Sequence, residues 1–392
     1  MRVHLFLVSL LFFLFACSRK GPGWAETIIK QTSQPNSIVQ VDSEVVNFMF
    51  KYNIPGMSIA VSKDGKMVYS KGYGFANKSE PQEVTTKTLF RIGRASELLT
   101  AIAIMKLIGD GKLSLGSKVF GDSGILGKEY GAVPYDRNIT NITVDQLLHH
   151  SVGGWSEKDD PTRHIKYLDQ VLNPGQLISI ALDNIPLRNP PGNSFAFSDL
   201  GYLVLGRIIE KTSGLSYSNF VKEKILKDLG ISDMRIEGSS EEELQKNEAI
   251  HYSDVTFPVL RSGKIDEEWY RYTALGDASY GWIASAEDLL KIIANLDDSV
   301  SKTPILSPAA VKMLLSTSKT NPHFGCGIYW NSDLTNWFDQ SELPGNTSEI
   351  AHASNGYCWV ILINTYRPVA DTYMSDMDQI FWNALKNKAF KP

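Results

Sequence analysis

The stretch LFRIGRASELLTAIAIMKL (Leu89–Leu107) decides how the chain is read. Its first residues suit the end of a strand, its middle a turn, and its remainder an apolar helix with Leu98, Leu99, Ile102, Met105 and Ile108 at the spacing of a buried face. Gly109 and Gly111 then predict the helix end. The first-turn N–H groups of a helix have no internal partner and favour negative charge, so a helix start facing a cleft often carries a nucleophile. Here the turn holds Arg94, Ala95, Ser96 and Glu97. Ser96 lies two residues beyond Arg94, about 200° around a helix of 3.6 residues per turn, and its one-turn neighbour Leu99 offers no base. It is expected to face away from the cleft.

Working outward, GMSIAVSKDGKMVYSKGYGFAN (Gly56–Asn77) reads as two strands around an Asp64-Gly65 turn. Strands recur in CGIYW and YCWVILINT near the C-terminus, and DTYMSDMDQIFWNALKNK closes the chain as an amphipathic helix. Between lies a mostly helical region to about Leu275. Its clearest helix is SDLGYLVLGRIIEKTSG, with Ser198 or Asp199 as N-cap and Gly214 as terminator. The arrangement predicts an α/β (α+β) fold: one antiparallel sheet built from both chain ends, flanking helices, and a helical insertion. The expected divisions are an α/β part over about 38–93 and 276–392 and a helical part over about 94–275.

The 392 residues are 43% hydrophobic and carry a net charge of -4, enough for a large core and without the basic stretch a nucleic-acid partner would need. At the N-terminus, Arg2 precedes an apolar run from Leu5 to Ala16, too short to span a bilayer but suited to a signal peptide. The run ends in LFAC at Cys17. This resembles a bacterial lipoprotein signal and implies export to the cell envelope with a lipid on Cys17; plain secretion is the alternative. Residues 18–37 are expected to form a polar tether. Cys326 and Cys358 remain, as a disulfide or as two buried thiols.

Four blocks stand in order: LLHHSVGG (Leu147–Gly154), PPGNSFAFSDLGYLVLGRIIEKTSG (Pro190–Gly214), YGWIASAEDLLKI (Tyr280–Ile292) and WFDQSELPGNTS (Trp337–Ser348). Together they resemble the penicillin-recognising serine hydrolases, in the branch of class C beta-lactamases, D-Ala-D-Ala carboxypeptidases and related esterases. The resemblance spans about Val45 to Leu385 and implies the class C beta-lactamase-like fold.

That family's chemistry needs Ser-x-x-Lys at a helix start, Tyr-x-Asn, and His-x-Gly or Lys-x-Gly on a strand. The resemblance places Arg94 and Glu97 at the first, Phe197-Ser198-Asp199 at the second and Asp339-Gln340-Ser341 at the third. Arg has no nucleophilic oxygen and stays protonated. The nucleophile, base and phenol would all be absent, leaving acyl-enzyme chemistry without a carrier. A literal STSK (Ser316–Lys319) falls in a polar connection and is read as coincidence.

If the fold holds, Arg94, Glu97, Asp199 and Asp339 converge on one cleft, with Phe197, Ser341, His150, Trp155 and Tyr280 as further candidate lining. Three readings follow. Arg94 could pair with the neighbouring carboxylates in an inert scaffold. It could hold a carboxylate of a small-molecule, glycan or peptide ligand. Or Glu97, Asp199 and Asp339 could do acid/base work, as in glycoside hydrolysis, where about 5–9 Å separates the pair. Metal binding by the three acids is the remaining alternative. No cofactor is implied. The two histidines His149 and His150, by the cleft rim, are expected to be structural hydrogen-bonders more than bases.

Overall fold

The computed structural model describes residues 23–34, 37–156, 158–161, 172–238, 245, 247–253, 275–297, 303–343, 345–366, 372–387 and 389–390. Cys17 and the signal-like run therefore lie outside the described residues.

Both chain ends build the main sheet. Strands β1 (Gly56–Lys63), β2 (Lys66–Asn77) and β3 (Gln82–Glu83) come from the N-terminal part. Strands β8 (Tyr329–Trp330), β9 (Trp337–Leu343), β10 (Asn346–His352) and β11 (Tyr357–Ile363) come from the C-terminal part. The order is β3-β2-β1-β11-β10-β9-β8, antiparallel throughout, and β1 meets β11 with Ile59 opposite Ile361. The Asp64-Gly65 turn forms as the dipeptide requires, with φ of +48° and +69°. Two small pieces lie apart. Strands β4 (Phe90–Arg91) and β5 (Arg235–Ile236) flank β7 (Trp282–Ala284), and β6 (Tyr252–Ser253) pairs in parallel with β12 (Thr365–Tyr366).

Side chains alternate across the sheet, so each face has its own core. On the outer face, Trp359, Ile361 and Ile363 of β11 meet α1 (Trp24–Thr32), α2 (Val39–Tyr52) and α9 (Tyr373–Lys386). On the inner face, Val360 and Leu362 join the larger core around α3 (Ala95–Gly109). The same core takes in α4 (Val144–Leu148), α5 (Pro174–Asn184), α6 (Asp199–Ser213), α7 (Ala286–Asn295) and α8 (Pro308–Leu315). Helix α6 begins and ends as expected: the Ser198 hydroxyl accepts the Gly201 N–H, and Gly214 closes it at φ +74°.

Several expectations change. The tether does not extend to residue 37: Trp24–Thr32 is helical and packs Ile28 into the outer core. Gln31 anchors this helix, its side-chain oxygen accepting the Gly74 N–H at 2.8 Å. Helix α3 is buried all round rather than on one face, with Ser96, Glu97 and Thr100 enclosed along with its apolar residues. CGIYW yields only the two-residue β8, because Gly327 turns the chain at φ +75°. Cys326 and Cys358 are buried free thiols. STSK follows α8, with Ser316 and Lys319 exposed.

Candidate functional site

The quoted stretch places Arg94 at the junction of helix and sheet. Gly93, at φ +54°, brings the backbone so close to β9 that a Cβ there would sit 2.1 Å from the Ser341 hydroxyl oxygen. Residue 93 must therefore be glycine for α3 to start against this strand. The Arg94 amide donates to that same Ser341 Oγ at 3.0 Å. A helix-start N–H of this kind is the donor an acyl-transfer oxyanion would use; here a side chain already holds it. Ser341 is thus a buried structural contact of the cleft floor rather than a residue open to ligand.

The Arg94 side chain runs along the sheet edge. Nη2 donates to the Gln340 carbonyl at 2.5 Å, and the guanidinium lies 4.9 Å from the Phe197 ring centroid, a cation–π contact. Its Nε is buried without a hydrogen-bond partner. Among the described residues no carboxylate makes an ion pair with Arg94, so the paired-scaffold arrangement does not form. Burial works against its charge, but Asp339, Tyr329, Glu97 and Asp199 together raise its pKa.

Glu97, one turn along α3, points beneath the cleft. Its carboxyl lies 3.1 Å from Ser279 Oγ, and the same hydroxyl lies 3.0 Å from Asp199. One hydroxyl hydrogen cannot serve both, so one carboxyl must carry a proton. Burial, then the charges of Asp199 and Asp339, hold the Glu97 pKa well above its usual value, which selects Glu97 as the protonated partner. The acid then donates to Ser279, and Ser279 donates to Asp199.

His150 completes the layer below. Its Nδ1 accepts the Ser198 N–H at 3.2 Å, which leaves the proton on Nε2, 3.4 Å from Glu97. The two have ion-pair spacing but not ion-pair charges. Burial, with Arg94 and His149 nearby, drives the His150 pKa well below its usual value. The ring packs on Phe197, Tyr202 and Phe324 at 4.3, 5.1 and 4.8 Å between centroids. His150 is therefore a neutral core residue under the site, not a rim group. His149 turns away: Nδ1 donates to the Asp145 carbonyl at 3.0 Å and Nε2 to the Ser316 carbonyl at 3.1 Å.

Asp339 on β9 is buried, with Oδ2 lacking a hydrogen-bond partner. Burial pushes it up to about 6 even though Arg94 pulls the other way. Ser96 faces away from the cleft as expected, its hydroxyl accepting the Trp282 N–H at 3.2 Å. Trp155 corrects the sequence reading. It is fully buried in the inner core, with Nε1 donating to the Ile185 carbonyl at 3.3 Å, and does not line the cleft.

What remains open is a cavity of about 360 Å³. Arg94, Asp199 and Tyr280 form part of its wall, as the sequence predicts. The β9 edge supplies Gln340, Glu342 and Leu343, and α9 supplies Met374. Glu342 and Leu343 fall within the WFDQSELPGNTS block but outside its catalytic triplet, and Met374 lies in no block. The period-two pattern of β9 puts Gln340 and Glu342 on the face opposite Asp339 and Ser341, where Gln340 donates to Glu349, so it does not mark them as lining; Met374 arrives from a remote helix. Ser279, which joins Glu97 to Asp199, had no sequence signal either. Among the described residues no cluster of three or more His, Cys, Asp or Glu side chains could hold a metal ion.

The geometry places this chain beside known proteins. The Beta-lactamase family model matches residues 41–375. A protein of Escherichia coli O157:H7 named for D-alanyl-D-alanine carboxypeptidase activity is 24% identical over 308 residues, covering 72% of this chain and 69% of the other. Protein flp of Staphylococcus aureus strain MW2 is 27% identical over 334 residues, covering 83% of this chain and 62% of its own length. Among solved structures, the octameric penicillin-binding protein homologue from Pyrococcus abyssi superposes with a TM-score of 0.68 at 25% identity, over 89% of this chain and 77% of that one. The D-amino acid amidase from Ochrobactrum anthropi shares the fold, with a TM-score of 0.70 at 18% identity over 89% and 98% of the two chains. The sheet, the buried central helix and the cleft at its start are those of a penicillin-recognising serine hydrolase fold. The chain belongs to the beta-lactamase family.

Proposed function

We propose that this family member has lost serine acyl transfer and keeps its cleft as a noncovalent binding site for a small polar ligand, in an exported, lipid-anchored protein. One observation carries the reading. At the start of α3, Arg94 stands where the family resemblance puts the nucleophile, and its amide is taken by Ser341. The two needs of an acyl-transfer site, an attacking oxygen and a free oxyanion donor, are both unmet at that point. Arg94 is better placed as a ligand holder: it has no nucleophilic oxygen and it lines a cavity of about 360 Å³. Phe197 supports the guanidinium where the family resemblance puts a phenolic Tyr.

A carboxylate-based hydrolase is less well supported. Glu97 and Asp199 share one Ser279 hydroxyl instead of flanking open space, and Glu97 does not reach the cavity wall.

Thermal melts with peptidoglycan-derived glycan and peptide fragments test the binding reading. The parent is expected to melt higher with ligand present, and Arg94→Gln is expected to lose that shift while remaining folded. Equal shifts in parent and variant, or turnover of the fragments that Asp199→Asn abolishes, would overturn it.

A further inference from the structure

We propose that the protein has a second binding site, apart from the cleft, for a small linear diamine or polyamine. The site is a groove between the loop ahead of α4 and the end of α5, and it takes an alkyl chain that carries ammonium groups.

The groove has a volume of about 300 Å³ and shares no wall residue with the Arg94 cavity. One side comes from the segment 132–139 and the other from residues 182–187. Pro134, Tyr135, Leu182 and Pro186 give it an apolar lining suited to a hydrocarbon chain, and its size is at the small end for a binding pocket. Asp136 and Asp183 add one carboxylate from each side. Among the described residues no Lys or Arg lines the groove.

Most donors at this wall are already engaged. The Tyr135 hydroxyl donates to the Tyr130 carbonyl, and the Asn184 side-chain amide donates to the Ile180 carbonyl at 2.9 Å. The Ala132 N–H goes to Asp183 Oδ1 at 2.6 Å and the Asn138 N–H to Asp136 Oδ1 at 2.7 Å. The groups left over are mainly acceptors: the second oxygen of each carboxylate and the side-chain oxygen of Asn184. An ammonium donates and cannot accept, so it complements them.

The end of α5 adds a second reason for a cation. Asp183 and Asn184 lie in the last turn of an 11-residue helix that has no basic residue there. The terminal carbonyls of a helix carry partial negative charge, so a carboxylate in that turn is unfavourable and a cation favourable. The chain's own neighbouring cations do not fill the role. Arg188 pairs with Asp159 at 2.6 Å and Lys128 with Asp122 at 2.5 Å, while Arg137 is exposed and not part of the wall. A ligand bearing a carboxylate would be repelled by both acids, and a neutral sugar would leave both without a counter-charge. A chain with an ammonium for each acid pairs both.

The test titrates the purified chain with cadaverine, spermidine, 5-amino-1-pentanol and glutarate by calorimetry. Cadaverine or spermidine is expected to bind at least about tenfold more tightly than the amino alcohol, and glutarate not at all. Asp136→Asn and Asp183→Asn each keep an oxygen for the backbone N–H they hold, and each is expected to weaken the amine at least about tenfold. Circular dichroism confirms that both variants are folded. The proposal is overturned if neither amine binds, if the amino alcohol binds as tightly, or if either variant holds the amine as tightly as the parent.

Discussion

Glu97 shows what the substitutions do to single side chains. A lysine-like base one turn from a nucleophile would need to change its protonation; Glu97 is locked in the neutral form by burial beside Asp199. Its pKa is raised above the unfolded value of 4.5, so the stability tied to its proton is fully present below that pH and is lost as pH rises toward the folded pKa. Glu97→Gln supplies a permanent donor to Ser279 and an acceptor for His150. The variant is expected to match the parent at acid pH and to be more stable than the parent above neutrality, in chemical denaturation measured from pH 4 to pH 9. Arg94→Ala is a different case. It removes a hydrogen bond to Gln340 and a cation–π contact but strands no ion-pair partner, so the loss in the same assay should be about 1–2 kcal/mol. That is well short of the roughly 3–5 kcal/mol of a broken buried ion pair. The larger loss would show that Arg94 serves the scaffold.

Among elements, the join between α4 and α8 depends on His149. Both ring nitrogens face backbone carbonyls, which can only accept, so the ring carries two protons. Against the opposing effect of burial, Asp145 and Cys326 push its pKa up to about 11. A raised histidine stabilises fully below its unfolded pKa of 6.5, and that contribution is lost as pH rises through about 11. His149→Ala is expected to cost about 1–3 kcal/mol near neutrality by leaving the Ser316 carbonyl unsatisfied. The parent should lose stability between pH 7 and pH 11 more steeply than the variant, whose shallower slope is the specific readout. The same scale shows where sequence reasoning reaches its limit. The β1–β2 hairpin was legible because Asp64-Gly65 dictates its own turn. Helix α6 was legible because Ser198 and Gly214 mark its two ends. Helix α1 was not, since its two buried polar residues, Thr27 and Gln31, read as solvent-facing until the sheet supplies Gly74 as a partner. Trp155 was misplaced for a related reason. Its loop sequence names an aromatic but not the wall it meets, and the chain turns it inward at φ +57°.

For the whole molecule, the two-faced sheet keeps α3 on the inner side while α1, α2 and α9 cover the outer one, and the cavity opens at the β9 edge where Met374 of α9 joins Arg94 and Asp199 in its wall. The family resemblance located Arg94, Glu97, Phe197, Asp199 and Asp339 together because each sits at a motif position. It could not supply Ser279 or Met374, which reach the site only through the packing of distant segments. No helix among the described residues is long and apolar enough to cross a membrane. In the proposed reading, attachment is through a lipid on Cys17. The parent is expected to fractionate with membranes and Cys17→Ala to be released or retained as precursor. A soluble parent with an unmodified N-terminus beyond Cys17 would contradict lipid anchoring and leave the cleft argument untouched.

The central claim is that the cleft no longer forms an acyl-enzyme. Intact-mass spectrometry of the purified chain, after incubation with a penicillin and separately with a fluorophosphonate, tests it directly. The account predicts an unchanged mass with both reagents. A stoichiometric adduct that disappears in Ser96→Ala, or one mapped to any residue of the Arg94 cleft, would contradict it.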